Sequence, residues 1–223
     1  MSDNQNNEKN NNNENSSSTS NETKKELLER TSKDSILILG SSSKWRQSLL
    51  KGFGVGDFKV LTADIDEKAI RHEDPKQMVV LIAKGKMEAI LEKIKTNDDF
   101  KNKDFCLITS DQVIEVDGVV REKPETEEKC KQYLRSYSSG KPAICHVGIV
   151  IYDSKSGKTV SDNVIAKQYF KPMPEEFFDE LIAKDDVMWC AGGFCVEQME
   201  EYEDKREGEI ETVQGLPKTR TLE

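Results

Sequence analysis

Two short segments carry side chains whose types and spacing suit work on a phosphate. In Thr109-Ser110-Asp111-Gln112, an apolar run from Phe105 meets an acid. A carboxylate at the end of a buried strand can take a proton from water or bind a divalent metal, and α/β folds place reactive groups at such ends. The plainer reading is an aspartate capping a turn. In Leu37-Ile38-Leu39-Gly40-Ser41-Ser42-Ser43-Lys44-Trp45-Arg46, an apolar strand enters a small-residue turn and then a helix. Gly40 lets backbone approach a ligand, the serines cap the helix and offer hydroxyls, and unpaired N–H groups at a helix start attract anions. Arg46, one turn into the helix, adds a planar cationic fork for a phosphate. Asp64-Ile65-Asp66-Glu67 is an acidic cluster able to hold magnesium, or an ordinary acidic loop. Lys86 falls on a long helix and Lys123-Pro124 follows a hairpin, and each reads equally well as a solvated charge.

The elements that must position these groups alternate between strand and helix. Ile36–Leu39 and Phe58–Leu61 read as strands flanking a helix over Lys44–Lys51, and Pro75 opens a long amphipathic helix through Met78, Leu81, Ile82, Lys86 and Ile90. Phe105–Thr109 is a buried strand, and Val113–Val120 turns back about Asp117-Gly118, a strong hairpin signal. Thr126 caps a helix through Cys130, Tyr133 and Leu134. Ala143–Ile151 and Val164–Phe170 are two long strands joined near Gly157, and Pro174–Lys184 is a further helix. No internal repeat is apparent.

Composition narrows the field. The 223 residues suffice for one core, split into two lobes around a cleft. A net charge of −9 argues against a nucleic-acid polymer or an acidic membrane as partner, so any phosphate ligand is held locally. The chain has no bilayer-length apolar run and no signal-like start, which places it in the cytoplasm by expectation. Residues 1–34, rich in Asn, Ser, Glu and Lys, are expected to form a disordered tail, with at most a helical turn at Leu27-Leu28, ahead of a domain over 35–223. Cys106, Cys130, Cys145, Cys190 and Cys195 are odd in number and scattered, which suits reduced thiols buried as small hydrophobes. A zinc site from Cys190, Cys195 and His72 or His146 matches no familiar ligand spacing.

In order along the chain, these segments resemble the Maf family of nucleoside triphosphate pyrophosphatases. The resemblance rests on Ser41-x-Ser43-x-x-Arg46-x-x-Leu49-Leu50, Asp64-x-Asp66-Glu67, Leu81-Ile82-Ala83-x-x-Lys86 and Ser110-Asp111-Gln112-Val113. It continues through Asp117-Gly118, Lys123-Pro124, Ser138-Ser139-Gly140, Cys190-Ala191-Gly192-Gly193-Phe194 and Val213-x-Gly215-Leu216-Pro217. It implies an α/β fold with a mixed sheet, flanking helices and two lobes around a nucleotide cleft, as in inosine triphosphate pyrophosphatases, often assembled as a homodimer. The implied reaction turns a nucleoside triphosphate into the monophosphate and pyrophosphate with a divalent cation, Mg²⁺ or Mn²⁺. By the same resemblance Asp111 is the general base, Glu67 and Asp111 hold the metal, and Ser41, Arg46, Lys86 and Lys123 bind the triphosphate.

Family branches that resemble dTTP/UTP pyrophosphatases carry Arg after a Ser-Pro pair, Thr after the catalytic Asp, and Gln in the late glycine loop. Here the first two places hold Trp45 and Gln112, and Glu197 lies near the late glycine loop, which resembles the pattern of a branch acting on 7-methyl-GTP. An indole face attracts the cationic methylated ring, and a carboxylate accepts from the guanine N1–H and amino group. The alternatives are a dTTP/UTP-type enzyme and a catalytically impaired nucleotide-binding module. Two features depart from the family pattern: Lys44 stands where Pro is usual, and 199–211 is charged where a Gly- and Phe-containing strand is expected, with the chain ending where relatives continue into a helix.

Overall fold

The computed structural model describes residues 35–223, so the expected tail and its Leu27-Leu28 turn lie outside the described residues. Among the described residues, seven strands form one open mixed sheet: β1 (Ile36–Gly40), β2 (Lys59–Val60), β3 (Phe105–Val116), β4 (Val119–Arg121), β5 (Ala143–Asp153), β6 (Lys158–Phe170) and β7 (Glu203–Glu207). Their order is β2-β1-β3-β5-β6-β7, with β4 paired to β3. β1 runs parallel to β2 and β3, and the remaining pairings are antiparallel. Helices α1 (Lys44–Gly52), α2 (Pro75–Lys95), α3 (Glu127–Tyr137), α4 (Glu175–Ala183), α5 (Ile210–Val213) and α6 (Lys218–Leu222) flank it.

The start signals read from sequence act as anticipated: Pro75 opens its helix, and Thr126 accepts from the Lys129 amide. The structure adds a cap ahead of Pro75, where Asp74 accepts from the Lys76 amide. α2 turns Ala83, Met87 and Ile90 into the sheet, where Ile38, Leu107 and Val150 complete one core cluster, and its Met78, Val79 and Ile82 meet Val113 in a smaller one. A further cluster gathers α3, α4 and the 191–199 turns around Ile114, Tyr137, Phe170 and Phe194. Burying apolar surface in these clusters supplies the main drive to fold.

Three expectations are corrected. The strand from Phe105 does not close at Thr109; it continues unbroken to Val116, so Asp111 lies mid-strand. The charged 199–211 stretch does contain a strand, β7, which pairs with β6 as a sheet edge. Its charges suit that edge, because Glu207 pairs with Lys167 at 3.1 Å and Lys205 at 3.0 Å, and such residues oppose edge-to-edge association. The chain also continues past Leu216-Pro217 into the short helix α6.

α2 lies close on the sheet because Gly148 has no side chain. A Cβ there would stand 2.3 Å from the Val79 carbonyl oxygen and 2.6 Å from the Val80 nitrogen, both backbone atoms that cannot swing away. Gly148→Ala is expected to destabilise the domain by about 2 kcal/mol through overpacking, measured by thermal or denaturant unfolding. A variant as stable as the parent would show that α2 can move off the sheet freely.

Candidate active site

β3 changes neighbours beside Asp111. On one edge it pairs with β1 as far as Thr109 and with β4 only from Ile114, while β5 covers the other edge throughout. Residues 110–113 therefore have one edge without a strand partner, a gap where side chains from several elements meet. The sheet thus supplies the cleft that a strand end was expected to give.

Asp111 is buried, and its Oδ1 accepts a hydrogen bond from Lys86 Nζ at 2.7 Å. The same ammonium stands 3.1 Å from Glu67 Oε1. Lys86 is therefore no solvated helix charge: only 9% exposed, it sits between two carboxylates from the sheet and from the 67–69 turn. Thr109, one step before the gap, donates to the Ala83 carbonyl and ties α2 to β3 in register with this pair. Asp111 Oδ2 has no hydrogen-bond partner among the described residues.

The turn after β1 is arranged differently from the open cradle expected. Gly40 leaves room for protein, not ligand: its missing Cβ would meet Thr109 Cγ2 at 2.5 Å and Ile90 Cδ1 at 2.7 Å. Ser41 Oγ accepts from the Ser43 amide at 3.2 Å, and Ser43 Oγ caps α1 by accepting from the Arg46 amide at 3.3 Å. Arg46 donates from Nε to the Gly215 carbonyl at 2.8 Å and from Nη1 to the Ser110 carbonyl at 3.1 Å, binding α1 to the β3 gap and the C-terminal segment. Burial pulls its guanidinium below the ordinary arginine pKa, with Asp111, Glu67 and Cys190 pulling the other way. Lys123 is exposed on the loop after β4, unpaired among the described residues.

Of the acidic cluster, Asp66 is a turn cap that accepts from the Lys68 amide, and Asp64 is exposed. Among the described residues no group of three or more His, Cys, Asp or Glu side chains forms a ready metal site. His146 pairs with Glu115 at 2.9 Å and His72 Nδ1 accepts from the Asp74 amide, so neither joins the cysteines in a zinc set. Glu67 and Asp111, both on Lys86, remain as paired carboxylates. Mg²⁺ is commonly held by one or two carboxylates with substrate phosphates completing its shell, and these two residues fit that requirement.

Trp45 and Glu197, read separately from sequence, line one cavity of about 290 Å³ together with Leu49, Phe53, Ile210 and Gln214. Trp45 also packs on the α3–α4 core cluster, so its ring has both structural and cavity-facing contacts. Gln112 donates to the Val213 carbonyl at 2.8 Å.

A family model described as Maf-like protein matches residues 36–223 of this chain. The chain belongs to the Maf family. Over 185 residues, 83% of this chain and 93% of the relative, the Maf domain is 50% identical to a Dictyostelium discoideum protein named 7-methyl-GTP pyrophosphatase. The Maf resemblance carried by the quoted motifs is thereby shown, as is the α/β class with its mixed sheet and flanking helices. No helix among the described residues of this Maf domain is long and apolar enough to cross a membrane. What sequence reasoning missed is the Val213–Gly215 segment as a junction: Val-x-Gly-Leu-Pro was visible as a motif, but its hydrogen bonds join residues more than a hundred positions apart.

Proposed function

We propose that this protein is a nucleoside triphosphate pyrophosphatase that hydrolyses 7-methyl-GTP to 7-methyl-GMP and pyrophosphate. The observation that carries this reading is the meeting of Trp45 and Glu197 in one cavity, in a chain half identical to a protein named for that activity. The 7-methylguanine ring is cationic, so the indole face gains cation–π attraction worth about 1–2 kcal/mol when desolvated. Glu197 offers acceptors for the N1–H and amino donors and a countercharge for the ring, a combination that a pyrimidine does not match.

The residues divide the reaction between them. Asp111 keeps Oδ1 on Lys86 and presents Oδ2, which takes the proton from the attacking water as its oxygen bonds to the α-phosphorus. The bond from that phosphorus to the bridging oxygen breaks, and the electron pair leaves with pyrophosphate. Lys86 holds the base in place, while Lys123 and the Ser41 hydroxyl supply positive charge and a donor to the triphosphate. Arg46 acts chiefly by fixing the cleft, with Nη2 left to reach a phosphate oxygen. A divalent cation held by Glu67 and Asp111 would supply Lewis-acid charge neutralisation on the phosphates.

Pyrophosphate release from 7-methyl-GTP, GTP, UTP and dTTP with magnesium or manganese tests the reading. Preference for 7-methyl-GTP is expected, and Trp45→Ala is expected to cut its advantage over GTP about tenfold, in line with the cation–π estimate. Preference for a pyrimidine nucleotide would overturn the base assignment. Release from none of the four by a folded protein would point to a nucleotide-binding module.

A further inference from the structure

Glu197 is exposed on the 196–198 turn, where a long carboxylate side chain ordinarily samples many rotamers. Here both of its oxygens are engaged. Gln214 Nε2 donates to Oε1 at 2.7 Å, and Cys195 Sγ donates to Oε2 at 3.0 Å. A carboxylate has roughly four acceptor positions, so two donors fix its plane and leave each oxygen able to accept once more. Two free acceptor positions side by side match the adjacent N1–H and amino donors of guanine.

The Gln214 end of this clamp is itself tied to the catalytic elements. Its neighbour Val213 accepts from Gln112 on β3 at 2.8 Å. On the other side, the Gly215 carbonyl takes Arg46 Nε at 2.8 Å and Ser110 Oγ at 3.1 Å. Gly215 has a φ of 97°, and a Cβ there would meet Gln112 Oε1 at 2.7 Å, so the turn has little freedom. At the other end, Cys195 is buried, and its hydrogen bond to Cys190, then burial and Glu197, hold the thiol well above the usual cysteine range, so it remains a donor.

We infer that Gln214 and Cys195 are positioning residues that hold the Glu197 carboxylate in place for the N1–H and amino donors of a guanine ring, Gln214 linking base recognition to the β3 and α1 residues of the cleft. The inference rests on the guanine reading of the cavity. Gln214 touches no reacting atom. Its contribution is to remove the rotamer freedom that Glu197 would otherwise lose on binding nucleotide.

The test uses the full chain and steady-state pyrophosphate release from 7-methyl-GTP, with melting curves as a folding control. Gln214→Met, which keeps length and removes the amide, is expected to raise KM about tenfold with kcat changed less than about twofold. In a Glu197→Ala background the same substitution is expected to move KM by less than about twofold, because the group it positions is gone. Gln214→Asn, which keeps the amide but withdraws it by one methylene, is expected to behave like Gln214→Met and serves if the latter fails to fold. An unchanged KM, an equal fall in kcat, or a full tenfold effect in the Glu197→Ala background would overturn the clamp. If Glu197→Ala raises KM and the Gln214 variants do not, the guanine reading stands and the clamp falls. If Glu197→Ala itself leaves KM unchanged, the guanine reading fails and the clamp fails with it.

Discussion

Asp111→Asn is expected to lower kcat for 7-methyl-GTP hydrolysis on the order of 10³-fold, the size typical of removing a positioned general base. The substitution is nearly isosteric, and the amide oxygen can still accept from Lys86, which stands 2.7 Å from Oδ1. The fold and KM should therefore change little, and the loss should fall on kcat. Proton abstraction needs the basic carboxylate oxygen, which Asn replaces with an amide group that takes no proton at neutral pH. Steady-state pyrophosphate release beside a melting curve checks this. A folded variant that keeps kcat within about tenfold of the parent would remove Asp111 from the role of base.

Replacing Lys86 with Met tests the other half of the pair and should appear first as lost stability. Asp111 is only 6% exposed, and its carboxylate has no hydrogen-bond partner other than Lys86 among the described residues. Removing one member of a buried ion pair leaves an uncompensated charge and costs about 3–5 kcal/mol. In a domain of this size such a loss lowers Tm by about 10 °C. Glu67 is half exposed and can turn to water, so most of the cost falls on Asp111. Lys86→Met should also lower kcat by at least tenfold, since the base loses its anchor and the site a cation. Adding Asp111→Asn to Lys86→Met is expected to restore much of the stability while leaving the protein inactive, because the orphaned charge goes with it. A single Lys86→Met variant melting within about 2 °C of the parent would show that the pair is solvated in solution.

Several features of this architecture were legible without coordinates because they are local. Pro75 at a helix start, Thr126 ahead of an amphipathic run, and Asp117-Gly118 between alternating apolar residues each fix backbone geometry within a few positions. The ordered motifs were likewise legible, since they recur at characteristic places in the Maf family to which the chain belongs. The continuity of β3 was not legible. Asp111 and Gln112 look like a break in an apolar run, yet pairing with β5 from Cys106 to Glu115 carries the strand through them. β7 was hidden for a similar reason: a strand of charged residues shows no apolar alternation, and only the edge of β6 makes it one.

The types of the chemical groups, their order and the family they signal were determined by the sequence alone, because side-chain chemistry and short-range backbone preference are written residue by residue. Tertiary structure decided which of those groups face one another. It turned Lys86 from a helix charge into the partner of Asp111, turned Arg46 toward the backbone carbonyls of Ser110 and Gly215, and placed Glu197 between Cys195 and Gln214. Apart from the Cys195 contact, each of these bonds joins residues 17 or more positions apart, and Arg46 reaches Gly215 across 169. Such pairings form only once the sheet order and helix packing bring distant segments within hydrogen-bond reach, and no local propensity encodes them.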